Sequence, residues 1–326
     1  MSTAPLPASH HDLGRLLEET PRVQEDSTLV EAQGLGRSFG PKPVLSDVSF
    51  TLRAGEVTGF GGANGAGKTT AIRLMLGLLR GEGRTLYLGR PLLEWGSPGS
   101  VVGAVLGGVA GHPGHRVRAH LRMVAAGSGA HEARVDELLE SVGLAGATNL
   151  RLAELSLGMA QRVGIAQALL GDPPVLILDE PANGLDPHSL HWLRHFLRDQ
   201  AAAGKAVLVS SHLLGEMEQL ADRVLVLTRG RIAATATMRE VVEHAARRRK
   251  TTVQAPDLNV LSDVIAAHGG LLEPTGEQDA TITGLDRVQI GNLALKAGVP
   301  LYWLHEEKPS LEDFYLDVAE EEFKIS

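Results

Sequence analysis

Apolar residues between Leu29 and about His244 follow two patterns that alternate along the chain. Some runs are short and continuously apolar, as expected for strands buried on both faces of a sheet. These runs are Val57 to Phe60, Val175 to Leu178, Ala206 to Ser210 and Val224 to Leu227. Elsewhere apolar residues recur every three or four positions, which is typical of a helix with one buried face. The two clearest stripes are Ile72, Met75, Leu76 and Leu79, and Met159, Val163, Ala166 and Leu170. The alternation predicts an α/β fold with a mostly parallel sheet and helical crossovers.

The pattern changes after Glu243, near a basic run at Arg247 to Lys250. A strand at Thr252 to Gln254 is followed by a helix, two short strands and a second helix closed by Gly298. Another strand and a last helix, which begins near Ser310, complete the chain. This order predicts a small α+β domain.

The length of 326 residues is enough for two domains. We predict an extension at 1–28, an α/β domain at 29–245 and an accessory α+β domain at 250–326. The extension carries three prolines and one short candidate helix with three leucines, so we predict that it is mostly disordered. The alternative is a helix that docks on a partner.

Composition excludes several classes of protein. Hydrophobic residues make up 43% and charged residues 21% of the chain, which argues against wholesale disorder. The longest nearly apolar run, Val101 to Gly111, is about half of the roughly 18 to 20 residues that a membrane-spanning helix needs. The N-terminus has no secretory pattern and the chain has no cysteine, which together favour a cytosolic location. The net charge of −8 argues against broad nucleic-acid binding, so we expect no nucleic-acid partner.

A glycine-rich segment at 62–69, GANGAGKT, matches the phosphate-loop pattern G-x-x-x-x-G-K-[ST] between a predicted strand and a predicted helix. Glycines let successive N–H groups converge on phosphate oxygens, and the following helix adds positive potential. We expect Lys68 to contact the β and γ phosphates, Thr69 to bind Mg²⁺ and Thr70 to support a neighbouring phosphate. An ordinary glycine-rich turn is the alternative. The candidate phosphate-binding residues are Gly62, Asn64, Gly65, Ala66, Gly67, Lys68, Thr69 and Thr70.

Two carboxylates, Asp179 and Glu180, follow the apolar run that begins at Val175. Parallel sheets place their ligands at such strand ends. We expect Asp179 to hold Mg²⁺ through water and Glu180 to polarise the water that attacks the γ phosphate. A solvated acidic turn is the weaker alternative, because a buried strand rarely needs two adjacent acids.

Three further segments complete a known pattern: Leu155 to Met159, Gly184 to Pro187, and Ser211 with His212. With the glycine loop and the acidic pair, in this order and spacing, the chain from Leu29 to about His244 resembles the nucleotide-binding subunit of ATP-binding cassette (ABC) transporters. The resemblance implies a P-loop NTPase cassette with a mostly parallel core sheet, an antiparallel β subdomain and a helical subdomain. It also implies a head-to-tail pair of cassettes that sandwiches two ATP molecules.

The resemblance assigns roles to five more residues. Ser156, the predicted N-cap of the helix after the signature segment, and Gly158 face the phosphates held by the opposite subunit. His212 contacts the γ phosphate and positions the attacking water, while Asp186 reaches across the dimer interface. Phe39 occupies the position of the aromatic ring that stacks on adenine. A core aromatic near a strand end is the alternative for Phe39.

Two segments depart from the family pattern. Gly107 stands where the family usually has a glutamine that links hydrolysis to the membrane partner, and glycine has no side chain for that contact. The signature, usually LSGGQ, is LSLGM here, with Leu157 and Met159 at the changed positions. The pair that faces phosphate, Ser156 and Gly158, is kept.

Histidines raise a separate hypothesis, because His188, His191 and His195 lie at helical spacing just after Asp186. The last two have the spacing of some zinc sites. No acidic third ligand is apparent, so we favour an ordinary family helix.

The resemblance favours an ATPase subunit that energises export of a drug-like or antibiotic-like substrate, as in bacterial exporters. It implies ATP and Mg²⁺ as cofactors, separate transmembrane permease subunits, a second, identical ATPase subunit, and a place at the cytoplasmic face of the membrane. One alternative is a soluble ABC ATPase of DNA repair or translation, although no sustained heptads separate Lys68 from Leu155. The other is a nucleotide-dependent regulator without hydrolysis, which Gly107 suggests and Glu180 argues against.

Overall fold

A computed structural model describes residues 27–247, 250–306 and 310–325. The predicted extension therefore lies almost entirely outside the described residues. Contacts between Cα atoms divide the chain into two compact units after Thr235. In the described ranges, no helix is long and apolar enough to cross a membrane.

The first unit contains a central parallel sheet and a smaller antiparallel sheet. Its strands are β1 (Thr28–Phe39), β2 (Lys42–Arg53), β3 (Val57–Gly61), β4 (Glu82–Tyr87), β5 (Arg90–Pro91), β6 (Val102–Leu106), β7 (Val175–Asp179), β8 (Ala206–Ser211), β9 (Arg223–Thr228) and β10 (Arg231–Thr237). The central sheet has the order β10-β9-β3-β8-β7-β6, and the strands from β9 to β6 run parallel. The second sheet has the order β2-β1-β4-β5 and is antiparallel.

The first unit also contains α-helices, three of which share an apolar core. They are α1 (Lys68–Met75), α2 (Val117–Ser128), α3 (Ala133–Ser141), α4 (Leu157–Ala168), α5 (Pro187–Ala202) and α6 (Leu214–Leu220). Helices α2, α3 and α4 share one apolar core, which includes Leu121, Leu139 and Val163. The four apolar runs lie in β3, β7, β8 and β9, so the predicted parallel sheet is confirmed.

Both predicted helical stripes extend past the ends of their helices. Helix α1 ends at Met75, and Gly77 has φ 69°, in the left-handed region that commonly follows a helix. Leu79 therefore lies beyond the helix but still packs against the core. Helix α4 ends at Ala168, and the buried Leu170 follows it. Apolar spacing predicted burial at these positions correctly and helix length incorrectly.

The second unit is a small α+β domain. Its elements are α7 (Met238–Arg247), β11 (Lys250–Gln254), α8 (Leu258–Ala267), β12 (Leu271–Pro274), β13 (Asp279–Thr283), α9 (Arg287–Ala297), β14 (Trp303–Glu306) and α10 (Leu311–Ile325). The antiparallel sheet has the order β12-β13-β11-β14, the arrangement of a split β-α-β unit. Val253, Leu261 and Ile282 belong to its core. The predicted α+β class is confirmed.

Helix α7 belongs to the second unit by its contacts, although its sequence position falls within the predicted range 29–245. The ring of His244 in α7 meets the Phe314 ring of α10 edge-on, with 5.4 Å between centroids. Nε2 of His244 also lies 3.3 Å from Asp317 Oδ2. Because of these contacts α7 groups with the second unit, so the boundary after Thr235 comes before the predicted end of the first domain at residue 245.

A core strand tests the packing of the central sheet. Ile177 lies in β7 and is fully buried. We expect Ile177→Ala to lower the free energy of unfolding by about 2 to 5 kcal/mol, because it removes buried methyl groups and leaves a cavity. Leu93→Ala is the control, since Leu93 is 85% exposed. Chemical denaturation of both variants checks this, and equal effects would contradict the assigned core.

Candidate functional site

The loop between β3 and α1 has glycines at positions where a side chain does not fit. Gly65 and Gly67 have φ values of 82° and 112°, which glycine adopts readily and other residues do not. A Cβ atom at Gly67 would lie 2.6 Å from Cδ2 of Leu45. A Cβ atom at Gly62 would lie 2.4 Å from the carbonyl oxygen of Leu227. The loop backbone is therefore tightly enclosed at Gly62 and Gly67, whereas Gly65 is needed for its backbone angle alone.

The start of α1 is suited to bind phosphate. The first amide groups of a helix have no acceptor within the helix, and the helix dipole makes this end positive. Lys68 is the first residue of α1 and is only 5% exposed. Its Nζ donates to the carbonyl oxygens of Gly62, at 2.7 Å, and Ala63, at 3.4 Å. The ammonium group is thereby held over the loop.

Glu180, which follows β7, contacts both the glycine loop and the residue that follows β8. Its Oε1 lies 3.1 Å from Lys68 Nζ, and its Oε2 lies 2.9 Å from Nδ1 of His212. Glu180 has φ 51°, a left-handed backbone that costs a residue with a side chain about 1 to 2 kcal/mol. Such strain is typical of functional positions. The three predicted residues therefore meet at the carboxyl edge of the sheet.

Ser210 is a site residue that was not predicted. It is fully buried in β8, and its Oγ donates to Asp179 Oδ1 at 2.6 Å. The same Oγ accepts the backbone N–H of Glu180 at 2.8 Å. The sequence offered one clue, since Ser210 is a polar residue at the end of an apolar run.

Six of the eight predicted phosphate-loop residues line one cavity of about 390 Å³, and the other two, Gly62 and Ala66, are not part of its wall. Its walls are formed by Phe39, Val44, Asn64, Gly65, Gly67, Lys68, Thr69, Thr70, Glu180, Asn183 and His212. The structure thus brings the glycine loop, both predicted catalytic residues and Phe39 together. Asn183 and Val44 were not predicted. Asp179 is not part of the wall and connects to it through Ser210.

Phe39 is half-exposed at the end of β1, so the alternative of a core aromatic does not fit its position. The guanidinium carbon of Arg37 lies 4.9 Å from the centroid of the Phe39 ring. Arg37 Nη1 in turn donates to the carbonyl oxygen of Arg80 at 2.6 Å. The ring is therefore supported by a cation while the cavity lies beside it.

The signature residues line a different cavity, of about 500 Å³. Ser156 is the N-cap of α4, as predicted, and its Oγ accepts the N–H of Met159 at 3.2 Å. A Cβ atom at Gly158 would lie 2.6 Å from Oγ of Ser189. Leu157, the changed signature residue, is 56% exposed. Within one chain the signature does not share the cavity of the glycine loop.

Asp186 caps helix α5 at the edge of this region. Its carboxylate accepts hydrogen bonds from the backbone N–H of Ser189, at 2.9 Å, and from the Ser189 hydroxyl, at 3.0 Å. These bonds, the backbone one first, lower the pKa of the Asp186 carboxyl below its ordinary value. Asp186 is therefore negatively charged at neutral pH.

Gly107 directly follows β6 and has φ 83°. A Cβ atom there would meet nothing within 4 Å, so space for a side chain exists. The backbone conformation is the obstacle, because a residue other than glycine in this region loses about 1 to 2 kcal/mol. The position at which the resemblance implies a glutamine thus has a backbone that favours glycine.

The predicted histidine helix is α5. Nε2 of His191 lies 3.1 Å from Nε2 of His195. Among the residues that the structure describes, no group of three or more His, Cys, Asp or Glu side chains is arranged to hold a metal ion. His188, His191 and His195 all lie within α5.

A glycine loop and a lysine between a parallel strand and a helix, with an acidic pair at a nearby strand end, define a P-loop nucleoside-triphosphate-binding protein. A family model described as ABC transporter matches residues 45–183. A model described as a domain of unknown function matches residues 249–312.

Curated relatives and a solved structure agree with this class. The Nod factor export ATP-binding protein I of Rhizobium johnstonii is 34% identical over 317 residues, which are 94% of this chain and 99% of that protein. An uncharacterized ABC transporter ATP-binding protein of Bacillus subtilis is 40% identical over 214 residues, 63% of this chain and 68% of that protein. A structure of an ATP-binding subunit of an ABC transporter has a TM-score of 0.60 and 31% identity, covering 67% of this chain and 93% of that chain.

The chain therefore belongs to the ATP-binding proteins of ABC transporters. The predicted cassette fold and the family resemblance are confirmed. Proteins of this family bind ATP and work with separate membrane permease subunits. The alternative of a non-transport ABC ATPase finds no support among these relatives.

The position of Lys68 beside the glycine loop predicts that this residue contributes to nucleotide affinity. We expect Lys68→Ala to weaken ATP binding about 10-fold to 100-fold, because hydrogen bonds to charged phosphate oxygens are lost. Lys296→Ala is the control, since Lys296 is exposed in α9. Fluorescence titration with a MANT-labelled ATP measures both. Equal affinity of the Lys68 variant and the unmodified protein would contradict the assigned phosphate contact.

Proposed function

We propose that this protein hydrolyses ATP with Mg²⁺ and energises export through separate transmembrane permease subunits. It acts as one of two identical ATP-binding subunits at the cytoplasmic face of the membrane. The observation that carries this proposal is the meeting of Lys68, Glu180 and His212 in one cavity that the glycine loop also lines.

The donor set around the loop fits a magnesium nucleotide. The Thr69 hydroxyl and the Asp179 carboxylate are oxygen ligands of the kind that Mg²⁺ prefers, Thr69 directly and Asp179 through water. When bound, Mg²⁺ stabilises the negative charge that develops on the phosphate oxygens. Lys68 and the loop amides neutralise the remaining phosphate charge. Glycine at 62, 65 and 67 lets the backbone approach the phosphates closely.

Glu180 acts as the general base in this proposal. A water oxygen attacks the γ phosphorus, the bond from that phosphorus to the oxygen bridging the β phosphate breaks, and the water proton passes to a Glu180 carboxylate oxygen. His212 holds Oε2 of Glu180 at 2.9 Å and so orients the carboxylate. Oε1 is paired with Lys68, and this oxygen becomes available when Lys68 turns to a phosphate.

The separate position of the signature supports a pair of subunits. Ser156 and Gly158 line their own cavity, so they complete a nucleotide site only if a second copy supplies the loop. In that arrangement Ser156 and Gly158 of one copy contact the phosphates on the loop of the other. The ionised Asp186 lies on the same surface and reaches across the interface.

Export is the direction proposed, because relatives that span nearly the whole chain are named as export ATP-binding proteins. Gly107, the LSLGM signature and the C-terminal domain resemble exporters of drugs or antibiotics, so we propose a substrate of that class. We propose residues 29–245 as the ATPase domain and residues 250–326 as the accessory domain. The alternative of a regulator without hydrolysis rests on Gly107 alone, and the position of Glu180 argues against it.

The decisive variant is Glu180→Gln. We expect it to lower ATP turnover by at least about 100-fold, because the amide cannot accept the proton of the attacking water. ATP binding is retained, so the variant accumulates as a dimer with ATP trapped between two copies. Phosphate release and size-exclusion chromatography with ATP measure the two effects. Glu94→Gln is the control at an exposed position; unchanged turnover in the Glu180 variant would remove Glu180 from the mechanism.

Gly107 tests the coupling to the permease. We expect Gly107→Gln to change the ATPase rate with permease present more than the basal rate, because the added side chain reaches the coupling region. Gly107→Ala is the matched control, since alanine brings the same backbone strain of about 1 to 2 kcal/mol without the amide. Rates are measured with and without the permease in proteoliposomes. Equal changes in both rates, or equal effects of both variants, would contradict this coupling role.

A further inference from the structure

One buried hydroxyl joins the two acidic residues of the site. Ser210 is 0% exposed, and its Oγ lies 2.6 Å from Oδ1 of Asp179 and 2.8 Å from the backbone nitrogen of Glu180. A carboxylate only accepts and a backbone N–H only donates. The direction of both bonds is therefore defined: the hydroxyl proton goes to Asp179, and the hydroxyl oxygen accepts from Glu180.

These two bonds lie where the ladder between β7 and β8 stops. The register of this strand pair ends at Leu178 and Val209, one residue before Asp179 and Ser210. Asp179 remains paired on its other side, opposite Leu106 of β6. Beyond the last paired residues, the two hydrogen bonds of Ser210 Oγ therefore link β8 to the end of β7.

Glu180 depends on this connection because its backbone is in a disfavoured conformation. Its φ of 51° lies in the left-handed region, and the hydrogen bond from its amide to Ser210 holds the peptide in place. That backbone orientation accompanies the contacts of the Glu180 side chain with Lys68 and His212. The Asp179 carboxylate is likewise fixed in rotation, because one of its oxygens is bonded to Ser210.

We propose that Ser210 is a positioning residue for the Mg²⁺–nucleotide complex and for the general base. It orients the Asp179 carboxylate toward the metal and the Glu180 side chain toward the attacking water, and it touches neither ligand itself. This inference rests on the proposed function, Mg²⁺-dependent ATP hydrolysis. A purely structural serine would instead affect stability and leave the dependence on Mg²⁺ unchanged.

The test compares Ser210→Ala with two matched variants of the full chain. Ser210→Thr keeps the hydroxyl, and threonine suits a strand. Thr58→Val removes another fully buried hydroxyl of the same sheet, one that donates to Glu56 Oε1 at 3.0 Å. For each, Mg²⁺ is titrated against binding of MANT-labelled ATP, kcat and KM for ATP are measured at saturating Mg²⁺, and Tm reports folding.

We expect Ser210→Ala to raise the half-saturating Mg²⁺ concentration about tenfold and to lower kcat about tenfold, because a hydrogen bond to a charged group is lost. Binding without Mg²⁺ and the KM for ATP stay unchanged. Ser210→Thr restores both values, and Thr58→Val lowers Tm without moving either.

Two results would overturn the inference. One is a normal Mg²⁺ requirement and kcat in Ser210→Ala; the other is a similar change in all three variants, which would indicate a general effect on folding. Absence of ATP hydrolysis in the unmodified protein would refute the proposed function instead. In that case the Mg²⁺ titration of nucleotide binding still decides whether Ser210 positions Asp179.

Discussion

A buried ammonium group needs an acceptor for each of its three protons, and the site is organised around how Lys68 meets this need. Two acceptors are carbonyl oxygens of the glycine loop, those of Gly62 and Ala63, and the third is Oε1 of Glu180. The first pair requires the loop to curl back over the start of α1, where a Cβ atom at Gly62 or Gly67 would lie within 2.6 Å of another atom. The third draws the end of β7 toward the end of β3. One cation thus determines both the loop shape and the placement of the acid.

The strand order makes this meeting possible. Strand β8 lies between β3, which leads to Lys68, and β7, which leads to Glu180. All three strands are parallel, so their carboxyl ends share one edge. The residues at the end of β8 consequently lie between the loop and the acidic pair. Ser210 and His212 occupy that intermediate position, and each contacts the acidic pair.

Local patterns predicted what depends on neighbouring residues. The glycine loop, the N-cap at Ser156 and the buried strands follow from short stretches of sequence, and all are found in the structure. Ser210 was not predictable in the same way, because its importance arises from the crossover order that places β8 beside β7. The end of α1 and the membership of α7 in the second unit also depend on distant contacts. Sequence therefore predicted the glycine loop, Glu180 and His212, and the strand order added Ser210 beside them.

The left-handed backbone at Gly107 also limits which residues this position accepts without a cost in stability. A glutamine there would cost about 1 to 2 kcal/mol unless the loop after β6 left this conformation. In the proposed transporter, a signal to the permease therefore passes through residues other than a side chain at position 107.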